Sequence, residues 1–248
     1  MEKNNFFKKY NILKIKMQKI LFLSIFLLFL ISSSSSLKYV HINPNLLKRI
    51  LNNKDIYIID TREIDVAAQG YVPNSIIVPT SLSYYLSSVV PNRSSIVVIS
   101  DEQNYRSVLD DLEESRRRYR ILGYCLYDEI KNSDLFDIQN VDYNQNTKSD
   151  VEEIVRDKRN IIDLRNISEF QETGIVPGSI LIPLVDFLNE YKKIPREGDV
   201  YVFCKRALRA VIGMTFAKRA GYTNHFIIMK EGIEKTVDEG YQLEPYKG

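Results

Sequence analysis

The chain has 248 residues, of which 44% are hydrophobic and 27% charged, a composition typical of one large globular domain or two small ones. The net charge is +2 and no basic stripe is interleaved with aromatic residues, so we do not expect nucleic acid as a partner. Two cysteines cannot build a disulfide framework, and the fold must therefore depend on its apolar cores.

The first 36 residues have the layout of a signal peptide. Residues 20–31 form a 12-residue run with one Ser and no charge, shorter than the roughly 20 residues that span a bilayer. Lysines precede this run and serines at 32–36 follow it, as in the basic, apolar and small-residue regions of a signal peptide. We expect a leader over residues 1–36, entry into a secretory or exported route, and no stable membrane association after leader removal. An uncleaved signal-anchor is the alternative.

From residue 38 onwards the pattern predicts short buried strands that alternate with helices. Asn43 and Pro44 are typical of the N-cap and first position of a helix. A charged, solvated helix is predicted over residues 107–119. Apolar runs rich in β-branched residues predict strands at 56–59, 76–78 and 96–99 in the first half, and at 160–162, 180–182 and 200–203 in the second.

Between the two halves, residues 137–149 are polar and lack apolar periodicity, and we interpret them as a linker. Ser149 and Glu152 have the spacing of a capping box that would open the next helix. Farther on, Leu208, Val211, Ile212 and Phe216 predict one apolar helix face that ends before Gly221.

The second half repeats the motifs of the first half at a constant spacing. An offset of 103 residues relates Asp60 to Asp163, Arg62 to Arg165, Asp101 to Cys204, and Arg106 to Arg209. A repeat of about 100 residues indicates a duplicated domain rather than a solenoid unit. The alternation of strands and helices predicts an α/β fold, with a small, mainly parallel sheet flanked by helices in each half.

Cys204 lies between the predicted strand at 200–203 and the start of the following helix. Backbone N–H groups converge in such a loop, and the helix N-terminus adds partial positive charge. Lys205, Arg206 and Arg209 add three cations. Because each effect favours thiolate over thiol, we expect the pKa of Cys204 to be depressed. The alternative is a buried core cysteine without reactivity.

In their order, spacing and repetition, these motifs resemble the tandem two-domain form of the rhodanese family over residues 38–246. The resemblance is carried by Asp163-Leu-Arg165, Gly174-Ile-Val-Pro-Gly178-Ser, Cys204 with Arg209, and Met229-Lys-Glu-Gly232-Ile233, and more loosely by Asp60-Thr-Arg62, Gly70-Tyr-Val-Pro73 and Asp101 to Arg106. It implies two tandem rhodanese-like domains, a non-catalytic one at 38–136 and a catalytic one at 150–248.

The resemblance also implies an activity, that of a thiosulfate- or 3-mercaptopyruvate-type sulfurtransferase. Cys204 would take a sulfane sulfur from a small anionic donor as a persulfide and pass it to a thiol or cyanide-like acceptor. A monomer that needs no metal or organic cofactor is expected. Asp101 stands at the position that Cys204 has in the second half, so the first domain would have no catalytic activity. The implied substrate-binding residues are Lys205, Arg206, Ala207, Leu208 and Arg209, and the implied structural support is Asp163 and Arg165.

Several residues depart from the family pattern. Ala207 stands where the family usually has Gly, and a Cβ at positive φ would reshape the loop. Ile175 and Glu231 replace a His and a Gly, and Glu169 stands near the usual position of a substrate-binding Arg.

Two other functions stay open at this point. One is a degenerate rhodanese-fold binding protein. The other is a cysteine phosphatase or arsenate reductase, whose related loop has five residues between Cys and Arg, whereas Cys204 and Arg209 enclose four.

Overall fold

A computed structural model describes residues 39–114 and 118–248. The expected leader over residues 1–36 lies outside the described residues. Within the described part, no helix has both the length and the apolar character needed to cross a membrane.

The first half of the chain builds a four-stranded sheet in which all neighbouring strands are parallel. Its strands are β1 (Ile56–Asp60), β2 (Ser75–Ile77), β3 (Ser95–Ser100) and β4 (Arg120–Leu126), in the order β2-β1-β3-β4. Its helices are α1 (Pro44–Ile50), α2 (Ile64–Ala67), α3 (Leu86–Val89), α4 (Tyr105–Glu114) and α5 (Tyr127–Asn132), with a 3-10 segment at Thr80–Tyr85.

The second half builds a five-stranded sheet that is also entirely parallel. Its strands are β5 (Asp142–Asn144), β6 (Asn160–Asp163), β7 (Ile180–Leu181), β8 (Val200–Phe203) and β9 (Phe226–Met229), in the order β5-β9-β8-β6-β7. Its helices are α6 (Lys148–Arg156), α7 (Ile167–Thr173), α8 (Phe187–Glu190), α9 (Leu208–Arg219) and α10 (Gly232–Asp238), with 3-10 segments at Leu184–Asp186 and Tyr191–Lys193. The α/β class predicted from the sequence is confirmed.

Residues 137–149 do not form an irregular linker. They contain β5, an edge strand that pairs with β9, and α6 is capped by Thr147 and Asp150 rather than by Ser149 and Glu152. The prediction was wrong because an edge strand with one neighbour needs backbone pairing more than an apolar face. The polar sequence of this segment hid that pairing.

The expected one-sided helix α9 is instead buried almost all round. Its residues from Arg209 to Ala217 are buried, because the first half covers the face that the second half leaves free. Strand β2 packs against α9, and the backbone N–H of Ile77 donates a 3.2 Å hydrogen bond to Oγ1 of Thr215. Leu208, assigned to the apolar face, is 41% exposed.

Each half contains a buried Asp–Arg pair at the end of a central strand. Arg62 donates to Asp60 at 2.6 Å and to the carbonyl of Gly70 at 2.7 Å. In the second half, Arg165 donates to Asp163 at 2.7 Å and to the carbonyl of Gly174 at 2.8 Å. Both pairs thus tie a strand end to a turn on the following segment.

We predict that Asp60→Ala lowers the free energy of unfolding by about 3–5 kcal/mol, because it leaves the guanidinium of Arg62 buried and unpaired. Denaturant unfolding measures this loss. The matched control is Asp157→Ala, which removes surface ion pairs with Arg156 and Arg159 and should cost at most about 1 kcal/mol. Similar small losses in both variants would show that the buried pair does not stabilise the fold.

Candidate active site

The loop from Cys204 to Arg209 joins β8 to α9 and encloses the cysteine sulfur. Cys204 is 1% exposed, and the backbone N–H groups of Arg206, Arg209 and Ala210 lie near its thiol and favour its thiolate form. The backbone N–H of Ile233, on α10, donates to the carbonyl of Cys204 at 2.9 Å. The sulfur therefore lies near backbone donors at the start of α9.

The pKa of Cys204 is raised rather than depressed, contrary to the sequence-based expectation. Complete burial disfavours the thiolate, and this effect exceeds the opposing influence of Arg209 and the three backbone N–H groups. The sequence indicated backbone N–H donors and cations near Cys204, but it did not indicate that the side chain of Cys204 is buried. Burial also raises the pKa of the second cysteine, Cys125, on β4.

Ala207 has a left-handed backbone conformation despite its Cβ. Its φ is 61° and its ψ is −26°, a conformation that costs a residue with a Cβ about 1–3 kcal/mol. Gly232, with φ of +66°, approaches the other side of the loop, and a Cβ there would overlap the carbonyl of Lys205. Only glycine permits this close approach.

Asn146 fixes the turn that carries Gly232. Its Nδ2 donates to the carbonyl of Gly232 at 2.7 Å, and its Oδ1 accepts from the backbone N–H of Glu231 at 2.7 Å. Asn146 is fully buried. Sequence reasoning missed this residue because it lies in the polar segment at 137–149, where no pattern distinguishes it.

Arg209 is bound at both terminal nitrogens by one carboxylate. Its Nη1 lies 2.5 Å from Oε2 of Glu169, and its Nη2 lies 2.7 Å from Oε1. Oε2 of Glu169 also accepts from the backbone N–H of Asn166 at 2.8 Å. Burial opposes ionisation of Glu169, but these hydrogen bonds hold its pKa below the ordinary value. The charge of Arg209 is thus balanced inside the protein.

Lys205 and Arg206 share a second carboxylate on α10. Nζ of Lys205 lies 3.2 Å from Oε1 of Glu234, and Nε of Arg206 lies 2.7 Å from Oε2. The hydrogen bond from Arg206 holds the pKa of Glu234 below its ordinary value. Each cation of the loop therefore has an acidic partner that the spacing of the sequence did not indicate.

A cleft of about 850 Å³ lies between the two halves, beside the loop. The first half contributes part of one wall from α2. Three predicted substrate-binding residues, Arg206, Ala207 and Leu208, face the cleft, whereas Cys204 is not among its lining residues. The cleft is lined by Ile64, Asp65, Ala68, Gln69, Tyr143, Arg206, Ala207, Leu208, Lys230, Glu231, Glu234, Lys235 and Asp238.

The corresponding loop of the first half is arranged differently. Asp101 accepts hydrogen bonds from the backbone N–H groups of Gln103 and Asn104 at 3.1 and 2.8 Å, so its carboxylate organises its own loop. Arg106 is exposed and its Nε lies 2.9 Å from the hydroxyl of Tyr105. Val66, which corresponds to Glu169 at the repeat offset, is 56% exposed.

Asp163 and Arg165 lie at the end of β6, buried and bonded to each other. Arg165 also donates to Oγ1 of Thr173 at 2.7 Å, so the pair fixes α7, the helix that carries Glu169. Within the described residues, no group of three or more His, Cys, Asp or Glu side chains is placed to hold a metal ion.

We predict that alkylation of Cys204 by iodoacetamide accelerates with pH and reaches half its maximum above about pH 8.5, the ordinary pKa of a free cysteine. The sign follows from the raised pKa of the thiol, which keeps the thiolate fraction small at neutral pH. The Cys125→Ser variant makes Cys204 the reporting thiol. A rate that reaches its plateau by pH 7 would contradict the raised pKa.

The Rhodanese-like domain family matches residues 147–239, the part of the chain that contains Cys204, Glu169 and Gly232. A search of curated proteins found no match.

Several solved structures resemble this chain at low identity. Thiosulfate sulfurtransferase from Pseudomonas aeruginosa is 18% identical over 83% of this chain and 43% of its own, with a TM-score of 0.36. A rhodanese-like domain protein from Staphylococcus aureus is 17% identical over 42% of this chain and 99% of its own, with a TM-score of 0.35. A Rhodopseudomonas palustris protein described as a possible tyrosine phosphatase is 17% identical over 40% of this chain and 82% of its own, with a TM-score of 0.34.

The present chain spans less than half of that thiosulfate sulfurtransferase. The low TM-scores carry no argument about chemistry, so the assignment depends on the family match and the observed α/β architecture. Residues 147–239 are a rhodanese-like domain.

Proposed function

We propose that the protein is a sulfurtransferase that carries a sulfane sulfur as a persulfide on Cys204. The observation that carries the proposal is a thiol at the start of α9 whose anionic form is favoured by Arg209 and by three nearby backbone N–H groups. Such donors stabilise negative charge on a sulfur atom that has just been formed or is about to leave. The match of residues 147–239 to the rhodanese-like domain family supports the same chemistry.

The transfer step needs only the thiol and a donor. The thiolate of Cys204 attacks the sulfane sulfur of the donor, a new S–S bond forms, and the donor's bond to that sulfur breaks with its electron pair on the leaving group. A thiol acceptor or cyanide then attacks the outer sulfur and restores the Cys204 thiolate. The sulfane sulfur moves without net oxidation, and no metal or organic cofactor enters the step.

The size of the loop favours sulfur transfer over phosphatase chemistry. Four residues separate Cys204 from Arg209, and this short loop suits one sulfur atom better than a tetrahedral oxyanion. The loop between them, Lys-Arg-Ala-Leu, also offers no acidic residue as a general acid. Arg209, which would have to bind the oxyanion, is held at both terminal nitrogens by Glu169.

A binding protein with a rhodanese-like fold is the second candidate. It is favoured by the burial of Cys204, which is 1% exposed, and by the raised pKa of its thiol. Under this alternative the cleft between the halves would bind a partner or ligand, and Cys204 would accept no sulfur.

The two halves would then have different tasks. The first, over residues 38–136, lacks a thiol in its loop, where Asp101 binds its own backbone, and we assign it no sulfur chemistry. The second, over residues 150–248, would carry the reaction as part of a monomer. Export through the leader at 1–36 would place the activity in a secretory or extracytoplasmic compartment.

We predict that Cys204→Ser abolishes sulfur transfer, because a hydroxyl is neither acidic nor nucleophilic enough to replace the thiolate. Asp101→Ala should retain activity within about threefold of the unmodified protein. The assay exposes each protein to excess thiosulfate or cysteamine persulfide, removes the donor, and measures thiocyanate released by cyanide. Equal losses in the two variants would refute the assignment, and absence of thiocyanate from all proteins would favour the binding-protein alternative.

A further inference from the structure

The cations of the active-site loop are balanced by carboxylates that come from elsewhere in the second half. Arg209 is paired with Glu169 on α7, and Lys205 and Arg206 share Glu234 on α10. Three positive charges therefore face two negative ones. These three cations led us to expect a small dianion such as thiosulfate as the donor. Their pairing with carboxylates removes most of their attraction for a dianion.

We propose that Glu169 is a specificity-determining residue that selects against dianionic sulfur donors, in favour of an organic persulfide that carries an ammonium group. This inference rests on the proposed sulfurtransferase function and concerns the donor that the same site accepts.

The geometry of Glu169 makes its effect local and strong. Both of its oxygens are bound to the terminal nitrogens of Arg209, so an incoming anion must either displace the carboxylate or meet a guanidinium that is already neutralised. The side chain of Glu169 is only 22% exposed. Solvent and salt screen such a charge less than they screen a surface charge.

Further carboxylates and cations line the cleft beside the loop. Asp65, Glu231 and Asp238 lie on its walls together with Lys230 and Lys235. This mixed lining suits a zwitterionic organic group better than a compact dianion.

Cysteamine persulfide is the simplest probe of this donor class. In its protonated form, R–S–SH, the outer sulfur is attacked by the thiolate of Cys204. The new S–S bond forms as the old one breaks, the electron pair leaves on R–S⁻, and the proton stays on the transferred sulfur to give Cys204–S–SH. With thiosulfate the same attack releases sulfite. Neither route needs an external oxidant or reductant.

The test compares loading of Cys204 by thiosulfate and by cysteamine persulfide in the unmodified protein and in Glu169→Gln. Glutamine keeps an oxygen for the N–H of Asn166 but removes the charge. We expect the second-order rate with thiosulfate to rise at least about tenfold, and the rate with cysteamine persulfide to stay within about threefold. Thiocyanate released by cyanide reports the loaded sulfur.

The matched control is Glu172→Gln, which removes an exposed carboxylate from the same helix and should leave the ratio of the two rates unchanged. A second measurement varies the salt concentration. Because the pairing with Glu169 and Glu234 cancels most of the positive charge of the loop, the rate of the unmodified protein with thiosulfate should change little with ionic strength, whereas the rate of Glu169→Gln should fall as salt is added.

The outcomes separate the inference from the function it rests on. If Cys204 is loaded by neither donor in any of these proteins, the sulfurtransferase proposal fails. If thiosulfate is the faster donor for the unmodified protein, its rate falls with salt, and Glu169→Gln leaves the ratio unchanged, sulfur transfer stands and the role given to Glu169 is overturned.

Discussion

The bidentate pair between Arg209 and Glu169 is the interaction on which the candidate site most depends. It joins the start of α9, where the cysteine loop ends, to the first turn of α7, and it places two hydrogen bonds of 2.5 and 2.7 Å in a half-buried position. Bidentate Arg–carboxylate pairs are stronger than neutral hydrogen bonds, and they also fix the relative orientation of the two side chains. The same pair reduces the positive charge that the loop presents.

The loop is held from its other side by backbone packing rather than by charge. Gly232 comes against the carbonyl of Lys205 where no side chain would fit, and Asn146 holds the turn that carries Gly232 in place. Ala207 adopts a left-handed conformation in this loop despite its Cβ. Cys204, at the start of this loop, is buried, and its burial raises the pKa of its thiol.

The first half contributes to the candidate site from outside the cysteine loop. Its strand β2 covers the outer face of α9 through contacts such as that of Ile77 with Thr215, and its helix α2 forms part of the cleft wall. Removing the first half would expose a helix whose central residues are buried on all sides. Its role in this account is to complete the core and the cleft.

Local patterns in the sequence predicted the features that depend on neighbouring residues. Asn43 and Pro44 open α1, and Cys204 lies between β8 and α9 as expected. All six predicted apolar runs become strands, four of them interior and two, β2 and β7, at sheet edges. Features set by distant residues were not predictable in the same way. Glu169 is 40 positions from Arg209, and β5 is a strand only because β9 lies beside it. Cys204 is buried in an apolar cluster built by residues of both halves.

The most direct test of the account is intact and peptide mass spectrometry of the full protein after brief exposure to cysteamine persulfide and removal of the donor. The account predicts one additional sulfur atom, located on Cys204 and lost on treatment with cyanide, with Cys125 unchanged. A protein that gains no sulfur, or gains it on Cys125 instead, would contradict the claim that Cys204 carries a transferable persulfide.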